Sequence, residues 1–273
     1  MFEFHLGKGL TLSSEELKAP LLLLGRSGQG KSTFLMQFVL ELIKNKQSGL
    51  LYDPYGDLTL SIQKHLQSEE AKSFVQVLNQ DEDLPGFDGS KFLLVSGNLM
   101  EEGTRITAKK AQAFLKAYVS LKSDGWLIVD EAFDLMDEEL FDFYVNREGK
   151  QKILLSAEEL VGLSKIERER LLRVVQSIVA YKTRKLCAKW LSEYQPVFKT
   201  KDMEAIKQYH FQYSMGDQFG YDSVRWPLED IGSAKLNGSP SWRQLELLVS
   251  PYVFKEFLQT QFRPVYEFRL CKI

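Results

Sequence analysis

Eight residues constrain this chain more than any others: Gly25-Arg26-Ser27-Gly28-Gln29-Gly30-Lys31-Ser32. They follow the pattern G-x-x-x-x-G-K-[ST] of a phosphate-binding loop, in which glycines let successive backbone N–H groups turn inward around a triphosphate. Such a loop needs a buried strand before it and a helix after it. Pro20 and the four leucines of 21–24 supply the strand as a continuous apolar run. Phe34, Leu35, Phe38, Val39, Leu42 and Ile43 then recur at helical spacing. The anion would lie at the helix N-terminus, where the dipole and the free N–H groups favour it. The rival dinucleotide fingerprint G-x-G-x-x-G fails, because Thr33 stands where its third glycine should be. Gly25, Arg26, Ser27, Gly28, Gln29, Gly30, Lys31, Ser32 and Thr33 are therefore expected to hold ATP. Lys31 would reach the β- and γ-phosphates, and the Ser32 hydroxyl would ligate Mg²⁺.

The same alternation continues along the chain. Strand-like runs at 21–24, 49–52, 74–78, 92–95, 126–129, 153–155, 178–181 and 209–213 interleave with helical patterns near 32–46, 57–71, 107–121, 136–145, 164–175, 187–194 and 201–207. This predicts an α/β fold, a mostly parallel sheet with helices on both faces. The Gly/Ser/Pro-rich stretch 232–241 marks a linker, dividing the chain into a core of 1–231 and a helix–strand arm of 242–273. Two cysteines, Cys187 and Cys271, are too few and too far apart for a disulfide framework or a zinc spacing. The histidines His5, His65 and His210 stand alone. No apolar run approaches the ~18 residues of a membrane span. The N-terminus lacks the basic and apolar blocks of a signal peptide, so the cytoplasm is the expected compartment. Net charge is −2, which excludes a polycation. Residues 1–150 nevertheless hold 16 basic against 23 acidic residues, a net of −7, and residues 151–273 hold 19 against 14, a net of +5. A basic face in the second half is thereby permitted.

A second motif ends the strand at 126–131, Trp-Leu-Ile-Val-Asp-Glu. An apolar strand closing in Asp-Glu about 100 residues after a phosphate loop is the Walker B pattern. Asp130 would hold Mg²⁺ through water, and Glu131 would take the proton of the attacking water as general base. The acidic pair points to the hydrolase branch of phosphate-loop proteins, in which one strand separates the Walker B strand from the phosphate-loop strand.

A third motif is more selective. Residues 50–58 read Leu-Leu-Tyr-Asp53-Pro54-Tyr55-Gly56-Asp57-Leu58. A Pro-Gly turn closing a strand would explain Pro54 and Gly56, but not the two acids. The segment closely resembles the Asp-Pro-His-Gly-Asp-Leu motif of the FtsK–HerA superfamily of DNA-pumping ATPases, with Tyr55 in place of the histidine. The resemblance covers most of residues 1–225, from the short hairpin around Phe4 to the run of 146–158. It implies a P-loop NTPase core of the RecA-like, ASCE type, consuming ATP with Mg²⁺ to move DNA in conjugation or secretion-type transfer. It also implies a homo-oligomeric ring, a hexamer, docked on a membrane-bound or capsid partner without itself spanning a membrane. Two rival readings are a viral genome-packaging ATPase and a weakly hydrolysing nucleotide-binding switch. By the same resemblance Asp53 and Glu158 belong to the nucleotide site. Glu158 stands where relatives carry a γ-phosphate-sensing Gln, a departure that supports the switch. Arg147, and second Arg184, are the candidates for the arginine that completes a neighbouring site. Lys182, Arg184, Lys185 and Lys189, with Tyr181 and Trp190 beside them, are a candidate DNA-contacting cluster.

Overall fold

Strands buried on both faces read as unbroken apolar runs, and that is what builds the centre of this molecule. The computed structural model describes residues 3–13, 20–66, 68–82, 89–99, 103–121, 124–146, 152–215 and 218–224. The arginine at 147, Cys271, the linker and the C-terminal arm lie outside the described residues. Two short strands, β1 (Glu3–His5) and β2 (Thr11–Ser13), pair antiparallel as the expected hairpin ahead of the phosphate loop. Then follow β3 (Leu21–Leu24), α1 (Lys31–Lys44), β4 (Gly49–Asp53), α2 (Asp57–His65), α3 (Glu69–Phe74), β5 (Val75–Asn79) and β6 (Phe92–Ser96). The chain continues through α4 (Thr104–Ser120), β7 (Trp126–Val129), α5 (Ala132–Leu135), α6 (Glu138–Asn146), β8 (Lys152–Ala157) and α7 (Lys165–Val174). It closes with β9 (Ser177–Ala180), α8 (Lys185–Tyr194), α9 (Thr200–Ala205), β10 (His210–Met215) and β11 (Gln218–Ser223).

The nine strands of the main sheet run in the order β11-β10-β9-β3-β8-β7-β4-β6-β5. From β9 to β5 every neighbour is parallel; β10 and β11 add an antiparallel ribbon at one edge. Successive residues of each central strand serve opposite cores. Leu22, Leu24, Leu50, Tyr52, Leu127 and Val129 face the layer containing α4, α6, α7 and α8. Leu21, Leu23, Leu51, Trp126 and Ile128 face α1 and α2, through Phe34, Phe38, Leu42, Leu58 and Ile62. Each fully buried leucine contributes about 1.5–3 kcal/mol on transfer from water. Among the described residues no helix is long and apolar enough to cross a membrane.

One expected helix divides, and one strand has no counterpart among the expected elements. The helical run 57–71 is two helices: Leu66 turns extended, and Ser68 starts α3 by accepting the Ala71 N–H at 3.1 Å. Strand β11 had no expectation, because its Gln-Phe-Gly-Tyr-Asp-Ser sequence belongs to a half-exposed edge rather than to a buried run.

Candidate nucleotide-binding and catalytic site

The phosphate loop is held in shape by its glycines. A Cβ on Gly25 would lie 2.5 Å from the Tyr181 Cβ, so the loop can leave β3 only where no side chain stands between it and β9. Gly30 has φ +111, a conformation L side chains rarely adopt, and it turns the chain into α1. Arg26 and Ser27 are exposed, Gly28 and Gln29 are half-buried, and the Ser32 hydroxyl opens to solvent at the first turn of α1, beside the buried Thr33. Lys31 is buried; its Nζ donates to the Gly25 carbonyl at 2.7 Å and lies 3.6 Å from Glu131 Oε1.

The acids arrive on two other strands. Strand β8 separates β3 from β7, the arrangement expected for an Asp-Glu Walker B strand. Asp130, just past β7, is buried, its N–H donates to Tyr52 O at 3.0 Å, and its Oδ1 has no hydrogen-bond partner. Burial raises its pKa, opposed by Ser156 on β8 and by the Lys31 charge. Glu131 follows with φ +47 and ψ 44, an uncommon left-handed conformation for a residue with a side chain. Its pKa is raised from 4.5 to about 7, first by burial, then by Asp130, with Lys31 pulling the other way and Glu158 and Asp134 adding to the rise. Asp53, at the end of β4, is buried and accepts the N–H groups of Thr59 at 2.8 Å and Tyr55 at 3.2 Å, closing the turn into α2. Its carboxyl is raised from 3.8 to about 6, mainly by burial, with Asp130 adding to the rise.

A cavity of about 360 Å³ opens beside Glu131, lined in part by Tyr55, Asp134, Glu158, Glu159 and Arg184. Strand β8 ends at Ala157, so Glu158 projects from the loop just beyond it and is exposed. Glu159 is partly covered and pairs with Arg184, Nε to Oε1 at 3.2 Å. The cavity therefore brings Glu131, Glu158 and Arg184 of one chain together. Tyr55, Asp134 and Glu159 were not read as site residues; the third motif's odd Tyr55 was the available signal. The Tyr55 phenol is pushed above its usual range by partial burial and then by Glu131, Asp134, Asp130 and Glu158, so it remains a neutral hydrogen-bond donor.

No protein-family model matches the chain, and no curated protein matches its sequence. Solved structures do match. VirB4 of Thermoanaerobacter pseudethanolicus superposes with a TM-score of 0.59 at 11% identity, over 82% of this chain and 96% of that one. The bacterial conjugative coupling protein TrwB gives 0.58 at 9% identity, over 80% and 88%. The genome packaging NTPase B204 from Sulfolobus turreted icosahedral virus 2, in complex with AMPPCP, gives 0.51 at 18% identity, over 75% and 97%.

The chain shares the fold of these solved structures, a mostly parallel α/β sheet. Within this fold one sequence expectation needs correction. Tyr181 is fully buried beneath Gly25 and Gly30, and the half-buried Trp190 packs against the core with the Arg168 guanidinium over its ring at 3.8 Å, so neither stands free to stack on a nucleic-acid base. Arg184, Lys185 and Lys189 are exposed, and Lys182 is half-buried.

Proposed function

We propose that this chain is a Mg²⁺-dependent ATP hydrolase of the FtsK–HerA type that drives DNA translocation, in conjugation or secretion-type DNA transfer, as a homo-oligomeric ring. Viral genome packaging is the nearest alternative substrate context. The observation that carries the reading is the 3.6 Å approach of Lys31 to Glu131, delivered by strands with β8 between them. A loop lysine and a carboxylate poised near neutrality, meeting beside a cavity, suit triphosphate hydrolysis better than passive binding.

The N–H groups of the phosphate loop and the α1 N-terminus orient the triphosphate, and Lys31 takes the β- and γ-phosphates. The Ser32 hydroxyl and Asp130 would hold Mg²⁺; the unpartnered buried Asp130 Oδ1 and an exposed hydroxyl are the hard oxygen donors that ion prefers. Once bound, the ion offsets charge on the phosphate oxygens. The Glu131 carboxylate accepts the proton of the attacking water. Arg184 lines the same chain's cavity and would add positive charge to its own site on leaving Glu159. Arg147 is the candidate that reaches a neighbouring subunit's site. Glu158 supports a second reading, a weakly hydrolysing switch, because an exposed acid facing Glu131 and Asp134 repels a phosphate unless a cation offsets it.

The test is ATP turnover with no nucleic acid, with single-stranded DNA and with double-stranded DNA, paired with sizing in ATP. DNA-stimulated turnover by an assembled ring supports the motor. Tight ATP binding with slow turnover indifferent to DNA overturns it in favour of the switch.

A further inference from the structure

The chain between α9 and β10, more than 170 residues after the phosphate loop, grips that loop from outside. The Tyr209 N–H donates to the Gln29 carbonyl at 3.0 Å, and Gln208 Nε2 donates to the Gly28 carbonyl at 2.9 Å. A Cβ on Gly30 would meet the Tyr209 ring at 3.0 Å, Val224 at 3.2 Å and the Tyr181 ring at 3.3 Å, so the loop is pressed against this support. Tyr209 itself has φ +60, an outlier for an aromatic residue, and the Val224 N–H donates to its carbonyl at 2.9 Å and fixes it there.

The consequence follows from peptide geometry. A trans peptide is planar, and its C=O and the following N–H point in opposite directions. Holding the Gln29 carbonyl outward therefore aims the Gly30 N–H inward, toward the place a phosphate would take. Holding the Gly28 carbonyl fixes the adjoining peptide, whose Gln29 N–H closes the loop's own turn onto Arg26 O at 3.3 Å. We propose that Gln208 and Tyr209 are positioning residues for the phosphate-binding loop: Tyr209 holds the Gln29 carbonyl outward so that the Gly30 N–H faces the nucleotide's phosphates, and Gln208 holds the Gly28 carbonyl so that the loop keeps its turn. The proposal rests on the reading of that loop as a nucleotide site. It gives a role to two residues that belong to none of the three sequence motifs.

The half-buried Gln208 side chain gives the cleaner test. Gln208→Leu keeps a branched side chain of similar bulk, one bond shorter, and removes the donor; Gln208→Glu sets an acceptor against the Gly28 carbonyl; Gln208→Lys restores a donor. ATP affinity is measured by calorimetry for all three and the parent, with melting temperatures recorded without nucleotide. Gln208→Leu should bind ATP roughly threefold to tenfold more weakly, the scale of one net hydrogen bond. Gln208→Glu should be weaker still, and Gln208→Lys should recover most of the loss, while nucleotide-free melting temperatures stay together. Equal ATP affinity in the parent and Gln208→Leu overturns the inference. If Gln208→Leu does not fold, equal affinities in Gln208→Glu and Gln208→Lys overturn it. A parent that binds no nucleotide overturns the underlying reading, a result distinguishable from the failure of Gln208 alone.

Discussion

At the scale of single residues, Glu131 carries the most testable chemistry. Its replacement by Gln should leave ATP binding intact and slow hydrolysis roughly a hundredfold or more, the scale of a lost general base. Lys31→Ala should instead abolish binding or turnover, read by calorimetry and phosphate release on the folded variant. Because Glu131 is raised to about 7, turnover should climb as pH rises through that value and the base loses its proton. Stability should move the other way. An ordinary glutamate titrates near 4.5, so between there and about 7 the fold binds a proton that the unfolded chain has shed, and stability falls as pH rises through the window. Asp53, held at about 6 against 3.8, acts in the same sense. The nucleotide-free protein should therefore melt higher at pH 5 than at pH 8. Glu131→Gln, which removes one of these buried charges, should gain about 2–6 °C at pH 8 and little at pH 5. The loss of activity and the gain of stability would then share one cause.

At the scale of elements, the contact between β3 and β9 sets how closely the phosphate loop can sit. Gly25→Ala would drive a methyl group against Tyr181, and urea denaturation should show a loss of about 1–3 kcal/mol. The central strands were legible in the sequence because both faces are covered: 21–24 and 126–129 are unbroken apolar runs, and the strands span those residues. The phosphate loop and the Asp-Glu strand were legible because their chemistry demands particular residues at a fixed spacing. Tyr181 was misjudged because a tyrosine next to lysines and arginines carries no mark of direction. It follows directly on β9, and only the packing of Gly25 and Gly30 turns it inward. Gln208 was invisible for a different reason. Its hydrogen bond spans 180 positions of sequence, and no periodicity records such a pair.

At the scale of the whole molecule, the two arginines would, on the proposed function, serve different chains. Arg184 shares a cavity with the Glu131 of its own chain. Mixing Arg184→Ala with Glu131→Gln protein should therefore restore no turnover, since neither chain supplies a complete site. Mixing Arg147→Ala with Glu131→Gln should restore part of it, because one interface would join an intact Glu131 to a neighbour's intact Arg147. Phosphate release from the two mixtures, against each variant alone, decides the assignment. The sheet order also governs when a newly made chain becomes competent. Strand β3, which leads into the phosphate loop, is flanked by β8 and β9, and Asp222 accepts the Gly9 N–H 213 residues away in sequence. During synthesis the loop thus leaves the ribosome long before the strands that shape it, so a nascent chain should acquire ATP affinity late and abruptly rather than in proportion to its length.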